Sequence, residues 1–256
     1  MLELSKVNKR FPGEVRALQD VDLVVQPGEF VVIVGESGAG KSTLLRTING
    51  LVNPDSGQVL VQGQEVTGLR GKELRRLRRG IGLIFQDFNL VERSTVLTNV
   101  LTGRLGYLPA WKTVLGMFPP EDVDLAQAAL EQVGLAAKIY NKAADLSGGQ
   151  KQRVSIARAL VQQPHTILAD EPVASLDPPT AHDILGWFQR INRREGITVI
   201  VNLHDIHLAS QYGDRLVGMR DGRIVHDGAV AEMNADIFAQ IYGRAPGRGD
   251  SIHAAG

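Results

Sequence analysis

The chain has 256 residues, enough for one large α/β domain or two small ones, and 43% of them are apolar and 22% charged, as in ordinary soluble globular proteins. Its 28 Lys and Arg balance its 28 Asp and Glu, so it lacks the basic surplus of a protein built to grip a nucleic-acid backbone. Cysteine is absent, which excludes disulfides, thiolate nucleophiles and Cys-based metal sites and fits a reducing cytosol.

In chain order, the first residues predict short strands at Leu2–Leu4 and Val21–Val25, with a turn at Gln26-Pro27-Gly28. Phe30–Val34 (FVVIV) is a continuous apolar run of the kind buried in a parallel sheet. A glycine-rich turn follows, then a helix from Lys41. Val59–Val61 and Ile81–Phe85 predict further strands. The run Arg75-Arg76-Leu77-Arg78-Arg79 reads as a solvated helix beside the core rather than a nucleic-acid contact, because Leu74 and Leu77 give it one apolar face.

From about Asp87 to Gln162 the patterns are helical and β-branched runs are scarce, which predicts a helical subdomain inserted into an α/β core. Trp111 and Phe118 in that stretch are either core residues or part of a partner surface. The strand signal returns at Thr166–Ala169 and Thr198–Leu203, with a helix over Thr180–Arg194 after Pro178-Pro179. Leu216–Met219 and Arg223–His226, joined at Asp221-Gly222, predict a closing hairpin. The Gly-rich end, Gly243–Gly256, predicts a flexible tail.

Three stretches carry chemistry. Gly35-Glu36-Ser37-Gly38-Ala39-Gly40-Lys41-Ser42, with Thr43 after it, is a phosphate-binding loop, G-x-x-x-x-G-K-[ST]. Its glycines let backbone N–H groups approach a polyphosphate, and the next helix points its positive end at the phosphates. Lys41 can reach the β- and γ-phosphates, and the Ser42 hydroxyl can bind Mg²⁺. A chance match in a chain this long has odds on the order of one per cent, and this one stands after an apolar strand and before a helix, as the mechanism requires. Ile167-Leu168-Ala169-Asp170-Glu171 is a buried strand ending in two acids. Paired with the loop, Asp170 suits the Mg²⁺ shell and Glu171 an attacking water. Third, Leu146-Ser147-Gly148-Gly149-Gln150 precedes a helix expected over Lys151–Val161, with Ser147 as N-cap and a second anion site behind it.

The LSGGQ stretch resembles the signature motif of ATP-binding cassette (ABC) ATPases. Other elements of that family stand in order over about residues 1–243. Phe11 resembles the aromatic that stacks on adenine, where Tyr is more usual. Gln86 matches the glutamine that links Mg²⁺ and water to the helical subdomain. Ser175-Leu176-Asp177 matches the loop that meets the opposite subunit, and His204 the histidine that reads the γ-phosphate. The resemblance implies a P-loop NTPase fold, an ABC-type nucleotide-binding domain. Its RecA-like α/β core carries an antiparallel β subdomain and, over about residues 87–162, an inserted α-helical subdomain; a tail over 244–256 follows. It also implies that ATP and Mg²⁺ lie between two copies, the phosphate loop of one facing Ser147, Gly148, Gly149 and Gln150 of the other. Glu171, His204, Gln86 and Lys41 are then the catalytic set, and Ser42, Gln86 and Asp170 hold the metal.

Among ABC ATPases, a single cassette without fused membrane spans or a coiled-coil insertion resembles the separate ATPase subunit of a bacterial importer. Phe85–Val91, Val96–Leu101, the insertion from Gly103 through Trp111 to Phe118, Leu168–Pro178 and Gly196–Ile200 resemble the ATP-binding subunits of phosphonate importers. The expected partners are a second copy, a dimeric membrane permease and, indirectly, a solute-binding protein, with no nucleic acid. Alternatives are an importer of phosphite or another small solute, and an ATPase of a soluble complex that breaks carbon–phosphorus bonds. No apolar run approaches the roughly 18–20 residues that cross a bilayer, and MLELSKVNKRF lacks the apolar stretch of a signal peptide. The chain is thus expected neither to span a membrane nor to be exported, and the importer resemblance implies a peripheral place at the cytoplasmic face of the inner membrane, through the permease. The pair in His204-Asp205-Ile206-His207 has no third credible metal ligand, and His165, His182, His226 and His253 read as surface or structural.

Overall fold

The computed structural model describes residues 1–13 and 15–245, so most of the expected tail, residues 246–256, lies outside them. Strands β1 (Leu2–Phe11) and β2 (Val15–Val25) form an antiparallel ribbon much longer than the sequence predicts. Register shifts between Leu4 and Arg10, and left-handed backbone at Lys6 and Asp20, break the period-two alternation that would announce it. After β3 (Phe30–Val34) and α1 (Lys41–Ile48) come β4 (Ser56–Val61) and β5 (Gln64–Glu65), which complete a small antiparallel sheet in the order β2-β1-β4-β5.

Helix α2 (Gly71–Arg79) is the arginine-rich segment, with Leu77 buried and Leu74 packed against the core as expected. Between β6 (Ile81–Ile84) and β7 (Thr166–Asp170) the described residues hold helices and turns. These are α3 (Val96–Leu101), a 3₁₀ segment over Thr102–Tyr107, α4 (Ala110–Val114), α5 (Pro120–Gln132) and α6 (Gly148–Leu160). Helix α6 starts three residues before the expected Lys151. The rest is α7 (Pro178–Glu195), β8 (Thr198–Asn202), α8 (Ile206–Tyr212), β9 (Arg215–Arg220), β10 (Arg223–Ala229) and α9 (Ala235–Tyr242). The sequence reading has no helix at α8 or α9, although Asp205 and Asn234 cap them with their side chains.

The main sheet runs β10-β9-β3-β8-β7-β6, parallel from β9 to β6 with β10 antiparallel at one edge. Alternate residues of its central strands enter two separate cores, the outcome of period-two geometry on a sheet covered on both faces. Phe30, Val32 and Val34 of β3, with Ile167 and Ala169 of β7, pack under the helices α3, α5, α6 and α7. Val31 and Ile33, with Leu168 of β7 and Ile200 of β8, pack against α1 and the small antiparallel sheet. A buried ion pair, Arg104 Nε to Asp122 Oδ1 at 2.7 Å, joins the 3₁₀ segment to α5. Trp111 is exposed, whereas Phe118 packs against the helical core. No helix among the described residues is long and apolar enough to cross a membrane.

Candidate active site

Because β3, β8, β7 and β6 are parallel neighbours, their carboxyl ends share one edge, and the loops leaving that edge form a crevice. The phosphate loop leaves β3, Asp170 and Glu171 end β7, His204 follows β8, and Gln86 follows β6. Residues scattered over most of the chain thereby reach one rim.

The loop at residues 35–42 is shaped by its glycines. Gly40 has φ 104°, and a Cβ there would strike the Ala17 carbonyl oxygen of β2. The same contact brings the β1–β2 ribbon, with Phe11 near its tip and 38% exposed, alongside the loop. Helix α1 has no side-chain cap, so the N–H groups of its first turn stay available to an anion. Lys41 folds back over the loop, its Nζ donating to the Gly35 carbonyl at 2.8 Å and the Glu36 carbonyl at 3.0 Å. Burial holds its ammonium below its ordinary value, and the nearby Glu171 and Asp170 charges oppose that shift.

Ser42 Oγ donates to Asp170 Oδ1 at 2.7 Å across the gap between α1 and β7. A hydroxyl and a carboxylate converging on one point are hard oxygen donors. That set suits Mg²⁺, which takes few protein ligands and fills the rest of its sphere with water and phosphate. Among the described residues no three His, Asp or Glu side chains cluster as a metal cage, and Asp205 is engaged in capping α8 rather than joining His204 and His207. Glu171, one residue past Asp170, adopts left-handed backbone, φ 52°, a conformation that costs a non-glycine residue about 1 kcal/mol. That twist turns its carboxylate to His204, whose Nε2 lies 2.6 Å from Glu171 Oε1.

Gln86 is exposed in the turn after β6. Phe88 and Asn89 behind it are both left-handed and are pinned to α6. Arg158 Nη2 and Ser155 Oγ each donate to the Phe88 carbonyl at 2.9 Å, and Arg158 Nη1 donates to the Asn89 carbonyl at 2.6 Å. The sequence reading assigns nothing to Ser155 or Arg158; their spacing of three residues on one helix was the available signal. It also passes over Asn202, a polar residue that follows the apolar run Val199–Val201 at the end of strand β8 and donates to Asp170 Oδ1 at 2.9 Å.

The signature stretch makes a complete capping box at the start of α6. Gln150 N donates to Ser147 Oγ, and Ser147 N donates to Gln150 Oε1. Gly148 lies against Leu176, and a Cβ on Gly149 would strike the Thr180 methyl group. Asp177 caps α7, accepting from the Thr180 N–H and hydroxyl, and these bonds hold its carboxyl below the usual carboxylate value. The signature and the 175–177 loop are thus one packed unit. No hydrogen bond among those described joins that unit to the phosphate loop of the same chain.

The sequence profile of the ABC transporter family matches residues 18–174. The chain is 50% identical over 244 residues to the phosphonates import ATP-binding protein PhnC 3 of Halalkalibacterium halodurans, covering 95% of each. It is 52% identical over 243 residues to the phosphonates import ATP-binding protein PhnC of Staphylococcus aureus, and 54% to that of Bacillus thuringiensis, again over 95% of both chains. Among solved structures, the dimeric post-hydrolysis ATP-binding cassette MJ0796 bound to ADP and Pi is similar at a TM-score of 0.79 and 37% identity. That match covers 90% of this chain and 99% of the other.

Proposed function

The chain belongs to the ABC transporter family of ATP-binding proteins, and from that membership we propose that it is the ATP-hydrolysing subunit of an importer that takes up phosphonate through a separate permease. The observation that carries the chemistry is the rim where Lys41, Ser42, Asp170, Glu171 and His204 meet. The solute rests on the phosphonate importers that it matches over 95% of its length. Residues 1–243 act as one ABC ATPase unit, with the helices between β6 and β7 as its helical subdomain.

In this reading ATP stacks its base on Phe11 and lays its phosphates over the N–H groups of residues 35–43, with Lys41 against the β- and γ-phosphates. Ser42 and Asp170, with Gln86 from the facing loop, would hold Mg²⁺, which offsets phosphate charge. Glu171 orients the attacking water and accepts its proton as oxygen attacks the γ-phosphorus and ADP leaves. His204 holds Glu171 in place and faces the γ-phosphate. Little covalent chemistry is asked of the protein; preorganised charge supplies most of the rate. A second copy completes the site with its Ser147–Gln150 helix start and its Asp177 loop, so γ-phosphate binding closes the dimer and its loss opens it. The similarity to a dimeric cassette supports this assembly. The Gln86–Val100 region transmits closure to the permease, and a solute-binding protein delivers phosphonate to it. The subunit works peripherally at the cytoplasmic face of the membrane.

Growth of a strain lacking this gene tests the reading, with phosphonate, phosphite or phosphate as sole phosphorus source. Growth should fail on phosphonate alone and return with the wild-type gene but not with Glu171→Gln. Normal growth on phosphonate, in a strain with no second importer, would overturn the solute. Recovery of the protein in a soluble complex with carbon–phosphorus cleaving activity would overturn the importer role.

A further inference from the structure

Strand β8 runs Thr198-Val199-Ile200-Val201-Asn202, and all five residues are buried. Asn202 is 0% exposed, an amide where the strand otherwise carries mostly β-branched apolar side chains. Its register neighbours are Asp170 on β7 and Ile33 on β3, two residues before the phosphate loop begins at Gly35. Asn202 Nδ2 donates to Asp170 Oδ1 at 2.9 Å, the oxygen that also accepts from Ser42 Oγ. An ionised carboxylate only accepts, so the amide must present its nitrogen to Asp170 and turn its oxygen away. That oxygen, Asn202 Oδ1, is buried, and no donor among the described residues reaches it. Asn202 also lines a cavity of about 340 Å³ whose wall includes Glu171 and His204.

A half-met buried amide is destabilising unless something else completes it. Two donors on one oxygen of Asp170 fix its rotamer. Among the described residues the second oxygen, Oδ2, has a long contact with the half-exposed Arg46 at 3.7 Å.

We propose that Asn202 is a positioning residue of the site that would hold Mg²⁺: its Nδ2, on the same Asp170 oxygen that takes the Ser42 hydroxyl, sets the aim of that carboxylate. The inference rests on the MgATP reading of the site. It separates two roles usually read off one acid, since Asp170 supplies charge while Asn202 decides how that charge is aimed. The outer partner of a metal site typically governs ten- to a hundredfold in metal affinity.

The test uses the purified chain and a fluorescent ATP analogue, titrated first in EDTA and then with rising Mg²⁺. Asn202→Leu keeps the γ-branched shape in a larger side chain and removes both polar atoms. Binding in EDTA should stay within about twofold of wild type, while the Mg²⁺ concentration for half-maximal tightening rises about tenfold. Asn202→Thr, whose shorter hydroxyl cannot span the same gap, should raise it by about threefold, and it carries the test if the Leu variant does not fold. An unchanged Mg²⁺ requirement in a folded variant overturns the proposal. So does equal weakening with and without Mg²⁺, which would make Asn202 a support for the phosphate loop alone. Failure of the wild type to bind nucleotide in either condition would instead sink the ATPase reading itself.

Discussion

Lys41 illustrates how one side chain is poised by its surroundings. Its ammonium is held by two loop carbonyls and nearly removed from water. A phosphate offers it a far stronger, charge-assisted partner than a carbonyl does. Lys41→Ala should therefore weaken ATP binding by roughly ten- to a hundredfold, the equivalent of about 1.5–3 kcal/mol for a hydrogen bond to a charged group. Nucleotide titration checks it, and unchanged affinity would remove Lys41 from the site. His165 gives a pH-dependent counterpart outside the site. Its Nδ1 lies 2.9 Å from Thr166 Oγ1, its ring abuts Gly80, and burial pushes its pKa below the ordinary 6.5. The unfolded chain then binds that proton more readily than the folded one. The stability this neutral ring contributes is complete above the unfolded value, near pH 6.5, and is lost as pH falls below it toward the folded value. Tm should fall as pH drops below about 6.5, and His165→Asn should flatten that fall. An equal slope in both proteins would assign it to other groups.

At the scale of elements, α6 does two jobs with its two ends. Its start carries the Ser147–Gln150 capping box, and further along Ser155 and Arg158 hold the carbonyls of Phe88 and Asn89. Two consecutive left-handed residues are unfavourable for side-chain-bearing amino acids, so their loop keeps its shape only while those carbonyls are held. The helix is therefore a rigid link between the signature and the loop bearing Gln86. Arg158→Met should leave nucleotide affinity within about twofold and lower ATP turnover by about tenfold, roughly one lost hydrogen bond to a charged group. Steady-state ATPase rates beside a binding titration separate the two, and a parallel loss of both would point to general unfolding of the helical region.

The whole molecule presents two helix starts, at the phosphate loop and at the signature, that its own fold does not bring together by any hydrogen bond among those described. The phosphate loop is wrapped by β2 and α1, whereas the signature packs on Leu176 and Thr180. In the proposed dimer a second copy resolves that separation. Glu171→Gln keeps the side-chain shape but loses the charged oxygen facing His204. In gel filtration it should elute as a dimer with ATP and as a monomer with ADP. A Glu171→Gln protein that hydrolyses ATP normally, or that stays monomeric with ATP, would contradict both the role of Glu171 and the sandwich.

The phosphate loop, the paired acids after Ala169 and the signature were legible because each is local: a strand, a turn and a helix contiguous in sequence specify where their N–H groups point. The apolar strands at Phe30–Val34 and Thr198–Asn202 and the helical middle were legible for the same reason, through their periodicity. Periodicity does not say which strand lies beside which. The order β3-β8-β7-β6 alone brings Ser42 to Asp170, 128 residues away, and Asn202 to the same carboxylate, 32 residues away. The bulged β1–β2 ribbon was hidden because its register shifts erase the alternation. The sequence by itself therefore determined the parts of a phosphate-handling site and the family they resemble. The tertiary structure decided which oxygen meets which donor, because hydrogen bonds between distant side chains depend on strand order and helix packing, and neither is written in any local run of residues.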